Sequence, residues 1–146
     1  MQKVLVVVDM QNDFIDGALG TKEAVAIVPG VKEKIKNFDW VVLFTRDTHE
    51  TYYLDTQEGK KLPVPHCIRD TDGWQIRSEL DALRKTEPID KETFGSTDLA
   101  GELVAMNEDN EIESITFVGL CTDICVISNA LLAKASLPEV PIIVDA

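Results

Sequence analysis

Four short runs of apolar, mostly β-branched residues constrain the fold of this chain more than any other feature. The runs cover residues 3–8, 40–45, 114–119 and 141–145. Short continuous runs of this composition are typical of parallel strands that are covered on both faces. The chain is therefore expected to contain a parallel sheet that lies buried between other layers.

Helical periodicity fills the segments between these runs. Apolar residues recur on one face of segments 30–38, 73–84, 97–107 and 122–135, which we predict to be helices. Thr97 or Asp98 is expected to cap the third helix. Strands that alternate with helices predict an α/β fold, with a central parallel sheet and helices on both faces. The length of 146 residues suits a single domain, residues 1–146.

The charge balance narrows the range of partners. Lysine and arginine number 14 and aspartate and glutamate 26, so the formal net charge is −12. This excess of acidic groups argues against nucleic acid and against an anionic membrane surface. The run 4–8 is too short to span a bilayer, and no leader-like segment precedes it. We expect a cytoplasmic protein whose three cysteines are thiols rather than disulfides.

Chemically active side chains follow three of the predicted strands. Asp9 closes the first run, Asp47 and His49 follow the second, and Cys121 and Cys125 follow the third. Ligands bind at the carboxyl ends of the strands in an open parallel sheet. We therefore expect these five side chains to meet at one edge of the sheet.

Cys125 and Asp9 each have two interpretations. Cys125 lies in the first turn of a predicted helix, where the helix dipole would lower the thiol pKa and favour a nucleophile. Its alternative is a small buried apolar side chain. Cys121 competes for the nucleophilic role, although its position before the helix suits a backbone oxyanion donor better. Asp9 is either a cap for the following turn or a functional acid whose pKa burial would raise.

Asp47 and His49 are two residues apart, so on an extended strand both side chains point the same way. With His66, from the long loop 48–72, they would form an open three-ligand metal site. Glu58, in the same loop, would add a fourth oxygen ligand. The alternative is that both histidines are surface or capping groups. Carboxylate and imidazole ligands suit zinc, iron or manganese.

Other charged residues are expected to be solvated. Asp13 and Asp16 lie on a polar turn, and Lys91 lies in a strongly charged stretch. Composition and spacing alone assign these side chains no chemical role.

Five segments of the chain keep the order and spacing of a known family. They are VVVDMQNDF at 6–14, TRDTHE at 45–50, PHC at 65–67, DKETFGSTDL at 90–99 and GLCTDICV at 119–126. Together they resemble the isochorismatase-like cysteine hydrolases and, within them, the nicotinamidases. The resemblance spans nearly the whole chain and implies a three-layer α/β/α sandwich of Rossmann-like topology.

The resemblance implies a catalytic triad of Asp9, Lys91 and Cys125. Asp9 would take the thiol proton, Lys91 would lie between acid and thiol, and Cys125 would attack an amide carbonyl. Ammonia would then leave, so that the acyl group remains on Cys125 as a thioester. Water would hydrolyse this thioester. Backbone N–H groups of Cys121 and Cys125 would hold the oxyanion, with a cis peptide bond between Leu120 and Cys121.

The resemblance also implies that Asp47, His49 and His66 hold one divalent metal ion, zinc before iron or manganese. In nicotinamidase-like members this ion binds the ring nitrogen of the substrate. Glu58 resembles a further ligand of some members. The substrate pocket would be lined by Phe14 and Leu120.

Two departures from the family pattern affect these expectations. Nicotinamidases commonly carry a tryptophan shortly before the metal-binding histidine, whereas residues 61–65 contain no aromatic side chain and Trp74 lies downstream. Members also usually continue past the fourth predicted strand through another helix and often a strand, which this chain is expected to lack. Dimers or larger assemblies are common in the family, so a homo-oligomer is one expectation here.

These observations predict a metal-dependent cysteine amidohydrolase that acts on a small-molecule amide. The most specific prediction is a nicotinamidase, which converts nicotinamide and water to nicotinate and ammonia. The alternatives are a cysteine amidase for another small amide and a non-catalytic small-molecule-binding member of the family.

Overall fold

A parallel sheet forms the centre of the molecule. The computed structural model describes residues 1–145, apart from the side chain of Asp123, so the predicted boundary at Ala146 lies outside the described residues. Within residues 1–145 the strands are β1 (Gln2–Val8), β2 (Val41–Asp47), β3 (Ile89–Lys91), β4 (Ile112–Gly119) and β5 (Ile142–Val144). Their order in the sheet is β3-β2-β1-β4-β5, and each pairing is parallel. The predicted parallel sheet is confirmed.

Helices and turns connect the strands. The helices are α1 (Asn12–Ile15), α2 (Lys22–Lys36), α3 (Gln57–Lys61), α4 (Ser78–Asp81), α5 (Thr97–Asp109) and α6 (Ile127–Ser136). The chain also forms 3₁₀ turns at Tyr53–Asp55 and Asp72–Trp74 and a π-helical turn at Thr122–Val126. Over residues 1–145, no helix has both the length and the apolar character needed to cross a membrane.

The side chains of residues 4–8 in β1 divide between two cores, which explains why this part of the strand is apolar without interruption. Val4, Val6 and Val8 pack in one core with side chains of α5 and α6. Leu5 and Val7 point to the opposite face and pack in a second core with side chains of α2. Helices therefore cover both faces of the sheet, and the predicted three-layer α/β/α sandwich is confirmed.

The predicted helix 73–84 is wrong. The backbone of residues 75–77 instead pairs with the segment that follows β1. Asn12 N–H donates to Gln75 O at 3.0 Å, Arg77 N–H donates to Met10 O at 2.9 Å, and Ile76 forms an antiparallel bridge with Gln11. After this extended stretch the chain forms the single helical turn α4, with local backbone hydrogen bonds such as Asp81 N–H to Arg77 O at 2.9 Å.

The remaining differences concern the ends of elements and one short strand. The helix predicted from residue 30 begins at Lys22, where the Thr21 hydroxyl accepts a hydrogen bond from Ala24 N–H at 3.0 Å. Ser96, rather than Thr97 or Asp98, caps α5 by accepting from Leu99 N–H at 3.0 Å. Strand β3 was not predicted, because two of its three residues are charged.

Candidate active site and metal centre

Asp9 follows β1 directly, and its side chain is completely buried. Lys91 Nζ lies 2.8 Å from Asp9 Oδ2, and the Thr45 hydroxyl donates to Asp9 Oδ1 at 2.8 Å. Burial raises the pKa of Asp9 above its ordinary value, and the charge of Lys91 only partly opposes that shift. The pKa shift matches the interpretation of Asp9 as a functional acid.

Lys91 ends β3, and its ammonium group is buried between two carboxylates. In addition to its ion pair with Asp9, Nζ lies 3.4 Å from Asp47 Oδ1 and donates to Thr93 O at 3.1 Å. Burial disfavours the charged form, but the charges of Asp9 and Asp47 raise the pKa of Lys91. The expectation that a lysine in this charged stretch is solvated is therefore wrong.

Cys125 lies in the π-helical turn between β4 and α6, and its side chain is buried. Burial raises the pKa of the Cys125 thiol, and the charge of Asp9 raises that pKa further, against the charge of Lys91. The predicted lowering by a helix dipole is wrong, because a buried thiol beside a carboxylate resists ionisation. A hydrogen bond with Asp9 also raises that pKa, and the role of Asp9 as acceptor of the thiol proton stays a prediction.

The connection from β4 to the π-helical turn contains a cis peptide bond between Leu120 and Cys121. This bond is the one implied by the family resemblance. Leu120 is half-buried beside an apolar cluster of Phe14, Cys67 and Trp74, which Cys121 also contacts. The oxyanion role of the Cys121 and Cys125 backbone groups stays a prediction.

Asp47, His49 and His66 form a compact buried cluster. One ligand atom from each residue lies within 4.8 Å of the other two. Asp47 Oδ2 is 3.0 Å from His49 Nε2 and 3.6 Å from His66 Nε2. Burial alone would raise the pKa of Asp47, but hydrogen bonds to the two histidines and the charge of Lys91 hold it well below its usual range. The three candidate ligands from β2 and the long loop thus meet as expected.

The chemistry of this cluster fits a divalent cation. Glu58, in the first turn of α3, places Oε2 3.3 Å from His49 Nε2, and this buried oxygen has no hydrogen-bond partner among the described residues. His66 Nδ1 lies 2.7 Å from Val64 O. Since a carbonyl only accepts, that contact places a proton on Nδ1, so Nε2 is the nitrogen that would bind a metal ion in the neutral imidazole. Two imidazoles and two carboxylates suit zinc, iron or manganese.

The isochorismatase domain model matches residues 3–146 of the sequence. This chain belongs to the isochorismatase family. It is 33% identical over 150 residues to an uncharacterised isochorismatase family protein, PncA, of Bacillus subtilis strain 168, covering 90% of this chain and 78% of that protein. The predicted family membership is confirmed.

Solved structures of family members share the fold. The nicotinamidase PncA from Bacillus subtilis is 28% identical, with a TM-score of 0.76 over 99% of this chain and 83% of that chain. The pyrazinamidase of Pyrococcus horikoshii, in complex with zinc, is 28% identical, with a TM-score of 0.72 over 93% and 80%. The N-carbamoylsarcosine amidase from Thermoplasma acidophilum is 29% identical, with a TM-score of 0.76 over 99% and 81%. The chain is thus an isochorismatase-family hydrolase with nicotinamidase-like relatives.

Tyr53 borders the cluster that the family resemblance assigns to metal binding, with its ring centroid 4.5 Å from that of His49 and 5.1 Å from that of His66. Phe14 and Trp74 pack together nearby, against Cys67. Phe14 is buried, and its ring centroid lies 5.4 Å from that of His66. Trp74 is also buried, donates from Nε1 to the Thr48 hydroxyl at 2.9 Å, and has the Arg46 guanidinium 3.7 Å from its ring centroid. One face of Trp74 is therefore covered by Arg46.

Several polar side chains that support the site were not predicted from the sequence. Asp13, expected to be solvated, accepts a hydrogen bond from Cys67 N–H at 2.7 Å and so holds the residue next to His66. Asp16 is exposed, as expected. The roles of Gln11 and Asn129, described below, were not predicted either. The only available signal was the position of Gln11 and Asp13 within the segment 6–14, close to Asp9.

Proposed function

We propose that this protein is a metal-dependent cysteine amidohydrolase that converts nicotinamide and water to nicotinate and ammonia. One observation carries the proposal. The buried Asp9–Lys91 ion pair, with the Cys125 thiol beside it, directly adjoins the Asp47–His49–His66 cluster, and Lys91 Nζ contacts both Asp9 and Asp47. Small-molecule binding alone does not require a buried acid, lysine and thiol at the same place.

In the proposed reaction, Asp9 takes the thiol proton as the Cys125 sulfur attacks the amide carbonyl carbon. The oxyanion that forms is held by the backbone N–H groups of Cys121 and Cys125. The carbon–nitrogen bond then breaks, Asp9 returns its proton to the leaving nitrogen, and ammonia departs from a thioester. Water attacks the thioester carbon and gives a proton to Asp9. The carbon–sulfur bond breaks, the proton on Asp9 returns to Cys125, and nicotinic acid leaves, losing its own proton to solvent as nicotinate.

The candidate metal centre would orient the substrate in this proposal. Asp47, His49 and His66, with Glu58 as a fourth group, would hold one divalent ion, for which we propose zinc. A bound ion supplies a Lewis-acidic centre that can fix the ring nitrogen of a pyridine amide. Phe14 and Leu120 would line the adjoining pocket.

A second candidate function is the hydrolysis of another small amide by the same cysteine chemistry. Two observations support this alternative. The N-carbamoylsarcosine amidase of Thermoplasma acidophilum is as similar to this chain as the nicotinamidase of Bacillus subtilis. In addition, Arg46 covers one face of Trp74, the aromatic residue nearest in sequence after His66. That face of Trp74 therefore cannot pack against a pyridine ring.

Ammonia release tests the two candidates directly. Protein loaded with Zn²⁺ would be given nicotinamide or N-carbamoylsarcosine, and the thioester would be sought by mass spectrometry. We expect nicotinamide to be the better substrate. Turnover of N-carbamoylsarcosine alone would refute the nicotinamidase proposal, and failure of the folded, loaded protein on both amides would favour a non-catalytic binding protein.

Matched lysine variants test the buried ion pair. Lys91→Met is expected to abolish ammonia release, because Asp9 would lose its countercharge. Lys3→Met removes an exposed ion pair with Glu113, in which Nζ and Oε2 are 3.6 Å apart, and should leave the rate unchanged. Equal rates in the two variants would contradict a role for Lys91 in catalysis.

A further inference from the structure

Two buried side-chain amides bond to the backbone of segments that carry candidate site residues. Gln11 is 0% and Asn129 is 1% exposed, and both use their oxygen and nitrogen atoms to bind backbone groups. We propose that Gln11 positions the metal-binding half of the site, formed by Asp47, His49 and His66. Asn129 positions the nucleophile half, formed by the turn that carries Cys125 and the loop after Lys91. Each amide acts independently of the other. The naming of Cys125 as nucleophile rests on the proposed function, but the hydrogen bonds of both amides do not.

Gln11 clamps the backbone of Asp47 from both directions. Gln11 Oε1 accepts from Asp47 N–H at 2.8 Å, and Nε2 donates to Asp47 O at 2.8 Å. The same Nε2 donates to Trp74 O at 2.8 Å. This two-point contact fixes the end of β2, and so fixes where the Asp47 carboxylate meets the rings of His49 and His66.

The neighbouring Asp13 extends this support to the other side of the cluster. Its Oδ2 accepts a hydrogen bond at 2.7 Å from the N–H of Cys67, the residue that follows His66. Gln11 and Asp13 both belong to the short segment that leaves β1 after Asp9. One segment therefore holds the strand end that carries Asp47 and the loop that carries His66.

Asn129 holds a different pair of segments. Its Nδ2 donates to Cys125 O at 2.8 Å and to Phe94 O at 3.2 Å, while Oδ1 accepts from Ser96 N–H at 2.8 Å. Phe94 and Ser96 lie in the loop after Lys91, whose Nζ donates to Thr93 O at 3.1 Å. Asn129 therefore ties the turn that carries Cys125 to the loop that receives the Lys91 ammonium group.

The two sets of partners do not overlap. Gln11 bonds to Asp47 and Trp74, whereas Asn129 bonds to Cys125, Phe94 and Ser96. A buried polar group that loses its partner must move or remain unsatisfied, so removal of either amide should disturb its own segments first. The two losses should therefore be separable by measurements that address each half.

Two near-isosteric variants, Gln11→Met and Asn129→Leu, provide the test. The first readout is the dissociation constant for Zn²⁺, measured by competition with a chelating indicator. The second is the rate at which iodoacetamide alkylates Cys125 in the zinc-loaded protein, with the modified thiol located by mass spectrometry. Neither readout needs amide turnover, so failure of this proposal is distinguishable from failure of the proposed function.

We expect a crossed pattern. Gln11→Met should weaken zinc binding about 10- to 100-fold, as loss of support behind a metal ligand typically does, and change Cys125 alkylation less than about threefold. Asn129→Leu should slow alkylation at least about 10-fold through misplacement of the thiol, and change the zinc dissociation constant less than about threefold. Asn12→Ala, which removes a hydrogen bond from Asn12 Nδ2 to Asp72 O in the same turn as Gln11, should change neither.

Any other pattern overturns the proposal, including equal effects of both variants on both readouts. If the apolar variants do not fold, Gln11→Glu and Asn129→Asp serve instead. These variants keep the acceptor oxygens that face Asp47 N–H and Ser96 N–H and lose the donors. The same crossed pattern is then expected, and its absence counts equally against the proposal.

Discussion

Replacement of Gly119 by alanine should be among the most destabilising single-methyl additions in this protein. Gly119 ends β4 with a φ of 125°, a conformation that residues with a side chain rarely adopt. An added Cβ would lie 2.1 Å from Val8 O and 2.8 Å from Val8 N, on the neighbouring strand β1. Both strands lie in the middle of the sheet, so neither backbone is free to retreat.

The expected loss of stability follows from these two effects. A non-glycine residue in a sparsely populated backbone region costs about 1–3 kcal/mol. Displacement of packed backbone by an added carbon costs about another 1–3 kcal/mol. The hydrogen bond from Leu120 N–H to Val8 O, 3.0 Å long, spans the same contact, and its loss adds about 1 kcal/mol. Gly119→Ala should therefore lower the free energy of unfolding by about 3–7 kcal/mol.

Urea unfolding monitored by circular dichroism measures this loss, with Gly101→Ala as the matched control. Gly101 lies inside α5, and a Cβ there meets no described atom within 4 Å beyond its own helix. The control should raise the free energy of unfolding by about 0.5–1 kcal/mol, because alanine favours a helix interior over glycine. A loss below about 1 kcal/mol for Gly119→Ala, or a gain like that of the control, would refute the reasoning.

Three further predictions concern a helix cap, a candidate ligand and the thiol. Thr21→Ala removes the hydroxyl that accepts from Ala24 N–H and should cost about 1 kcal/mol in urea unfolding, with ammonia release unchanged; an unchanged midpoint would contradict the cap. Glu58→Gln should weaken zinc binding at least about 10-fold in a chelator competition, whereas an unchanged dissociation constant would show that Glu58 is not a ligand. Cys125→Ala should reduce ammonia release at least about 10³-fold while zinc affinity stays within a factor of about three, and residual turnover near the parent rate would rule out the thioester route.

The parts of the fold that local sequence determines were predicted correctly. Residues 4–8 of β1 and most of residues 115–119 of β4 are buried, and burial on both faces of a strand leaves a nearly continuous apolar pattern in the sequence. The segment 73–84 has helical spacing, but its backbone bonds to residues near Met10 and Asn12, so tertiary contacts decided its structure. Strand β3 carries too little apolar sequence to be recognised without its partner β2.

Some residues of the candidate site were likewise predicted from local sequence, whereas the environment of others depends on the fold. Asp9, Asp47 and Cys125 were found because each follows a strand whose position the sequence reveals. The charged residues around Lys91 in the sequence predicted a solvent-exposed side chain. The fold instead buries its ammonium group against the carboxylates of Asp9 and Asp47, which are distant in sequence. The pKa of the Cys125 thiol was predicted to be lowered, whereas burial and the charge of Asp9 raise it, and neither could be read from the local sequence.

The order of strands in the sheet has a consequence for how the protein reaches its active form. The Asp47 cluster depends on the pairing of β1 with β2, because Gln11 after β1 holds Asp47 at the end of β2. The contact between Asp9 and Cys125 depends instead on the pairing of β1 with β4. Parallel pairing joins segments far apart in the chain and is therefore slow to form. In a refolding experiment, the rate of zinc binding would report the pairing of β1 with β2. The rate at which the Cys125 thiol becomes protected from alkylation would report the pairing of β1 with β4.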